Sequence, residues 1–330
     1  MSLVAGLVIL VLIAIAWGAL HYMTGVPGTS HRGSLPPLTA EEAALAESLK
    51  HHIATIAARE HNLAHYAELE NVARHIEASL ASYGYATRAQ RFMVAGKPVR
   101  NIEVAIEAQR TLSAPEVIVV GAHYDSAPGT PGANDNASGS AAVIELARLL
   151  RDLDGKTQRR IRLVLFVNEE PPYFGGEDMG SLRYAKSLAA SGERVMGMYS
   201  LETIGFYSSE PGSQRYPAPF ALLFPDRADF IAFVGLLGSR PLLRKTVRSF
   251  RSHTAFPSIA GVAPAFIPGI AWSDHWSFSQ LGFQAVMITD TALFRYPHYH
   301  RPSDMPDKIG GENLARVVKG IERVIRDLAQ

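Results

Sequence analysis

A chain of 330 residues with 47% apolar and 19% charged side chains is long and apolar enough to bury the core of a large α/β domain. Its formal charge of +1 gives no ground for nucleic acid or an anionic surface as a partner. The absence of cysteine excludes thiolate zinc sites, disulfides and thiol catalysis, so any metal must be held by His, Asp or Glu.

The first element in chain order is Leu3–Leu20, 18 residues without a charge. As a helix it spans roughly 27 Å, close to the thickness of a hydrocarbon core. Trp17 and Tyr22 stand where interfacial aromatics anchor such a helix. The alternative is a cleaved signal peptide. The run is long for one, no Lys or Arg precedes it, and no clear A-x-A site follows. Residues 1–22 therefore read as an uncleaved transmembrane signal-anchor, with few flanking charges to orient it. Residues 23–38, rich in Pro, Gly and Ser, read as a linker, and 39–330 as one catalytic domain.

Thr39 is a helix cap with Glu41 and Glu42 in the first turn, opening a helix through LAESLKHHIATIAARE. A second helix is expected near Ala67 to Tyr83. Apolar strands and helices then alternate: NIEVAIE, EVIVVGAH, a helix over Ser138–Leu150, IRLVLFVNEE, a helix over Ser181–Ala190, and VMGMYSLE. QAVMITD is a later strand, and Glu312–Leu328 a closing amphipathic helix. This order predicts an α/β fold: a doubly wound, mostly parallel sheet with helices on both faces.

Three strands end in GAHYD, FVNEE and YSLE. Ligands of open parallel sheets bind beyond the carboxyl ends of strands, so His123, Glu169, Glu170 and Glu202 should gather along one edge. A pair of divalent metals about 3.5–4 Å apart needs a bridging carboxylate, and one imidazole and one further carboxylate for each ion. The Pro/Gly loop after His123 lets Asp135 return to the same point, and Asp125 is placed to partner the other ring nitrogen of His123. Of the adjacent Glu169 and Glu170, one can bind metal while the other serves as general base. His300, in HYHRPSD, supplies a second imidazole. Three ligand carboxylates against two Zn²⁺ leave +1, which a bridging hydroxide neutralises.

Decoys are few. Asn136-Ala-Ser138 is formally a glycosylation sequon, DGKT lacks the first glycine of a P-loop, and neither GxSxG nor HExxH occurs.

GAHYDS, GANDNASGSAAVIELARLL, FVNEEPPYFGGEDMGSLRYAKSL, SLETIGFYS, SDHWSF and YHRPSD, in this order, make the chain from about Ala67 onward resemble the di-zinc exopeptidases. That family includes bacterial leucyl aminopeptidases, glutamate carboxypeptidase and glutaminyl cyclases. The resemblance implies Zn²⁺, two per chain: Asp135 bridging, His123 and Glu202 on one ion, Glu170 and His300 on the other. It implies Glu169 as the base, acting on a water held by the zinc pair, and Asp125 orienting His123. The implied activity is exopeptidase, foremost an aminopeptidase acting on a peptide or small aminoacyl substrate. The alternatives are a single-zinc glutaminyl-peptide cyclotransferase and a non-catalytic membrane-tethered ectodomain. Family habit puts such a membrane-anchored domain outside the cytoplasm. Two departures stand out: the family more often has Asp at Glu202, and NEEPPYF lacks the Gly-rich continuation. Asp274, in SDHWSF, matches a position on the active-site rim or behind the ligands.

Overall fold

The computed structural model describes residues 3–217 and 220–330. The apolar N-terminal run forms helix α1 (Leu3–Thr24). Val4–Thr24 is 21 residues long, and its most apolar window is wholly outside the protein core. At about 1.5 Å per residue it is long enough to cross a hydrocarbon layer. Length and apolarity of this kind serve an anchor or a signal sequence alike.

Met23 and Thr24, expected in the linker, complete α1, while residues 25–39 form neither helix nor strand. They are nevertheless pinned. Arg251 Nη1 donates to the carbonyls of Pro27 (3.1 Å) and Gly28 (2.9 Å), and Ser258 N–H donates to Ser30 Oγ (2.8 Å). Arg316 Nη2 reaches the Pro36 carbonyl at 2.6 Å. The segment is a strap laid on the domain rather than a free tether.

Eight strands among the described residues form one sheet. They are β1 (Arg88–Val94), β2 (Lys97–Ile106), β3 (Val117–His123), β4 (Arg160–Phe166), β5 (Val195–Glu202), β6 (Ile231–Leu236), β7 (Ser258–Ala263) and β8 (Ala285–Thr289). Their spatial order is β1-β2-β4-β3-β5-β8-β6-β7. The centre, β4-β3-β5-β8, is parallel, and β7 runs parallel to β6. The antiparallel pairs are β1 with β2, β2 with β4, and β6 with β8.

The helices after α1 are α2 (Ala40–Ile56), α3 (Tyr66–Ser82), α4 (Gly139–Leu150), α5 (Gly180–Ala190), α6 (Arg240–His253), α7 (His275–Gln280), α8 (Ala292–Arg295) and α9 (Gly311–Ala329). Central strands read as unbroken apolar runs because both of their faces are covered. Ile118, Val120, Leu163, Leu165, Tyr199 and Leu201 enter a core shared with α2, α4, α6 and α9. The alternate residues Val117, Val119, Val164, Phe166 and Met198 pack under α5 and α7. Truncating one such residue, as in Leu163→Ala, costs about 2–5 kcal/mol.

Thr39 caps α2 as the sequence predicts. Its Oγ1 accepts Glu42 N–H at 3.1 Å, and Glu42 Oε2 accepts Thr39 N–H at 2.8 Å. The helix ends at Ile56, short of the expected Glu60. The chain leaves it to brace the site: His61 N–H donates to Ser126 Oγ and Asn62 Nδ2 to the Ser126 carbonyl. Two features escaped the sequence reading. One is the β1–β2 hairpin, whose two-residue turn sets Ala95 and Gly96 at φ 47° and 77°. Both residues have positive φ, as in a type I′ turn, and Ala is an uncommon occupant. The other is the β6–α6–β7 unit at the sheet edge.

Candidate metal centre

His123 is the last residue of β3 and Glu202 the last of β5, while Glu169 and Glu170 lie just beyond β4. Parallel neighbours end level with one another, so these side chains emerge along one edge. Asn168 (φ 60°), Thr203 (φ 48°) and His300 (φ 52°) adopt left-handed backbone at or beside the site residues. Non-glycine residues rarely do so, and strain of this kind collects at functional sites.

Asp135 reaches the same point from the loop after β3. Its Oδ1 lies 3.4 Å from His123 Nε2 and its Oδ2 2.9 Å from His300 Nε2. Glu202 Oε2 is 3.4 Å from His123 Nε2, and Glu170 Oε2 is 3.3 Å from His300 Nε2. Glu169 Oε2 lies 3.7 Å from His123 Nε2. All five expected ligands and the expected base therefore converge.

The loop is held from several sides. Gly132 has φ 71°, and a Cβ there would meet the Asp135 carbonyl at 2.5 Å, so a side chain is excluded twice over. Asp304 accepts the N–H of Asn134 (2.8 Å), the N–H of Asp135 (3.2 Å) and the Tyr296 hydroxyl (2.7 Å). Asn134 donates to Asp290 Oδ2 and accepts Gly205 N–H. Asn136 donates to the Leu201 carbonyl and accepts Thr203 and Gly139 N–H. It is buried with its amide engaged, so the sequon is no glycan acceptor. The framing role of Asp304, Asp290 and the two asparagines was not read from the sequence. The signal, an amide on each side of Asp135, was in view.

Asp125 accepts the N–H groups of Glu169 (3.1 Å) and Glu170 (3.2 Å) on its two carboxylate oxygens. It thus aims both glutamates. Its contact with His123 is mainly through its carbonyl, 3.0 Å from Nδ1, with the carboxylate at 3.7 Å. A carbonyl only accepts, so Nδ1 carries the hydrogen and the Nε2 lone pair faces Asp135 and Glu202. Asp274 is fully buried rather than on the rim. Burial raises it to about 7, although the Ser181 hydroxyl opposes the shift. The neighbouring Ser273 donates to Glu202 Oε2 at 2.8 Å.

Protein groups alone leave the carboxylates short of positive charge. Burial and the Asp135 carboxylate push Glu170 up to about 8. Burial, with Glu202 and Glu170 beside it, raises Glu169 well above the usual range despite His123. Burial works against Asp135 too, yet hydrogen bonds from both imidazoles hold it low. Burial opposes the His300 cation, but Asp135 and Glu170 raise it to about 10. Glu170 Oε1 is buried with no hydrogen-bond partner. His123, Asp135 and Glu170 offer ligand atoms that all lie within 4.8 Å of one another. Imidazole nitrogen and carboxylate oxygen without thiolate is a donor set that suits zinc. A cleft of about 280 Å³ opens over these groups, walled also by Pro171, Phe174, Trp272 and Tyr299. The Tyr299 ring stacks on His300 with centroids 4.0 Å apart.

Comparison with known proteins shows the family and the fold. The model of Peptidase family M28 matches residues 101–325. The uncharacterized protein YfbL of Escherichia coli (strain K12) is 40% identical over 262 residues, covering 77% of this chain and 78% of its own. Aminopeptidase YwaD of Bacillus subtilis (strain 168) is 39% identical over 221 residues, covering 64% of this chain. The match spans 41% of that longer protein. Among solved structures, the aminopeptidase from Aneurinibacillus sp. strain AM-1 superposes with a TM-score of 0.68. It covers 88% of this chain and 95% of its own at 18% identity, a likeness of fold.

Proposed function

The chain belongs to peptidase family M28, and from that premise we propose that it is a zinc aminopeptidase using two zinc ions per chain. The observation that carries the proposal is the division of the Asp135 oxygens between His123 and His300. A carboxylate so shared is suited to bridging two ions. His123 and Glu202 would complete one, Glu170 and His300 the other. When bound, the zinc pair supplies the Lewis acidity that polarises a scissile carbonyl and eases ionisation of the attacking water.

The remaining work belongs to the protein. Glu169, buried and of raised proton affinity, takes the proton from that water and hands it to the departing amine. Asp125, on the backbone N–H groups of both glutamates, keeps Glu169 and Glu170 pointing apart. The Tyr299 hydroxyl, kept neutral by burial and the surrounding carboxylates, is the donor for the developing oxyanion. Phe174 and Trp272 wall the cleft against bulk water.

In this reading residues 1–22 anchor the chain, 23–38 link, and 39–330 act on peptide or small aminoacyl substrates outside the cytoplasm. The test is hydrolysis of a panel of aminoacyl, acyl-peptide and glutaminyl-peptide substrates, with chelator and with added zinc. We expect zinc-dependent cleavage that requires a free amino terminus. Release from the carboxyl end, or cyclisation of glutaminyl peptides with one zinc per chain, would overturn it.

A further inference from the structure

Three imidazoles meet where α2 packs on α3. His51 and His52 lie in the last two turns of α2, and His75 in the middle of α3. None of them lines the catalytic cleft. The ring centroids stand 5.2 Å apart for His52 and His75, 5.9 Å for His51 and His52, and 6.4 Å for His51 and His75. The point equidistant from all three is about 3.4 Å from each centroid, against about 3.2 Å between a zinc ion and the ring centroid of an imidazole that binds it. The triangle has the size that three ligands of one ion make.

One side of the triangle is already built. Glu145 of α4 is fully buried and accepts the Tyr83 hydroxyl at 2.9 Å and Arg148 Nε at 2.8 Å. Burial opposes its charge, but hydrogen bonds from His52, Arg148 and Tyr83 hold it below the usual carboxylate value. Its Oε1 lies 3.3 Å from His52 Nε2. A carboxylate only accepts, so Nε2 carries the hydrogen and Nδ1 keeps its lone pair. That lone pair faces His75 Nε2 at 3.0 Å. A carboxylate behind an imidazole whose other nitrogen is open is the arrangement that orients zinc-binding histidines. Burial, with His52 and His51 beside it, lowers His75 to about 4, so this ring is neutral and able to ligate at neutral pH. Without an ion, His75 Nε2–H donates to His52. With one, that hydrogen moves to Nδ1 and the two facing nitrogens part to about 3.3 Å, as on a tetrahedral zinc. His51 is exposed, which leaves its ring free to turn inward.

We propose that His51, His52 and His75 form a separate zinc site, outside the catalytic centre, in which the ion clips α2 to α3 and takes water as its fourth ligand. Nitrogen donors without thiolate also admit Ni²⁺ and Cu²⁺, so the site suits borderline divalent ions as a class. The clip stands just ahead of the segment in which His61 and Asn62 brace Ser126. It is weaker than the catalytic pair, because ordering the exposed His51 costs side-chain entropy. It therefore empties on dialysis and fills at about 10 µM zinc.

The test uses the full chain, loaded with zinc, dialysed against metal-free buffer and then equilibrated with about 10 µM zinc. We expect one more ion per chain than the dialysed protein holds, and a rise in Tm of about 3 °C. His51→Gln, at an exposed position, and His75→Gln should each abolish the extra ion and the rise. The ions kept through dialysis and the rate of aminoacyl anilide hydrolysis should stay as in the parent. His75→Cys, which restores a ligand, should take the ion up again. No uptake by the parent makes the trio a hydrogen-bonded brace and overturns the inference. So does an extra ion that both glutamine variants retain, which is then adventitious. Absence of hydrolysis in the parent sinks the aminopeptidase reading without touching this site, since the readout here is a difference in bound metal.

Discussion

His300 Nε2 lies 2.9 Å from Asp135 Oδ2, while the other oxygen of the same carboxylate faces His123. One short side chain thus joins the end of β3 to the loop after α8. Removing it should separate the two halves of the centre. Asp135→Ala is expected to lower bound zinc from two ions per chain to one or none and to cut kcat/KM at least a thousandfold. Metal analysis of the purified variant decides the matter; retention of both ions contradicts a bridging role.

Glu169 is the base in this scheme and not a ligand. Glu169→Gln preserves shape and the hydrogen bond to Asp125, which uses the backbone N–H. Turnover should fall by about 10²–10⁴ while zinc content and melting temperature stay close to those of the parent. Parallel loss of metal and activity would instead make Glu169 a ligand.

Asp304 touches none of the expected ligand side chains, yet it holds the N–H groups of Asn134 and Asp135 and the Tyr296 hydroxyl. Asp304→Ala leaves these buried donors unpaired at a cost of about 2–4 kcal/mol. Slackening of the Asp135 loop should also weaken zinc binding about 10–100-fold. Urea denaturation and a competitive chelator titration measure the two effects. A stability loss without a change in zinc affinity would make the residue purely structural.

Without metal, Glu170 keeps its proton until about pH 8, because burial and Asp135 penalise its charge, whereas a free glutamate releases it near 4.5. The raised affinity contributes stability that is fully present below about pH 4.5 and is lost as pH rises toward 8. His300, raised from 6.5 to about 10, changes in the same direction. The chelated protein should therefore melt at falling temperature from about pH 5 to 8. Zinc binds deprotonated ligands, so the rise in Tm on adding zinc should grow over that window. Thermal scans with chelator and with zinc test both trends; a zinc effect that shrinks with pH contradicts the ligand set.

Fractionation bears on the N-terminal helix. The full chain should stay with membranes through a carbonate wash, and its domain should be cut by protease added to spheroplasts. A soluble product that begins after residue 22 would make the segment a signal peptide.

What could be read from one dimension was the centre of the molecule. The parallel strands announce themselves because both faces are buried, and His123, Glu169, Glu170 and Glu202 stand where apolar runs stop. Asp135 and His300 were legible through their motifs. The hairpin turn at Ala95-Gly96 was not, because its backbone is set by the pairing of β1 with β2 against the preference of alanine. Strands β6 and β7 were missed at the edge.

The amino-acid sequence by itself determined the α/β architecture, the donor types and the apolar helix at the amino end, since periodicity and residue chemistry are local properties. Only the tertiary structure decided that Asp304 braces the metal loop and that Asp274 lies buried behind the site. It alone decided that His52 of α2 lies between His75 of α3 and Glu145 of α4. Distances between such remote segments follow from how the sheet and its helices pack, which no short stretch of chain encodes.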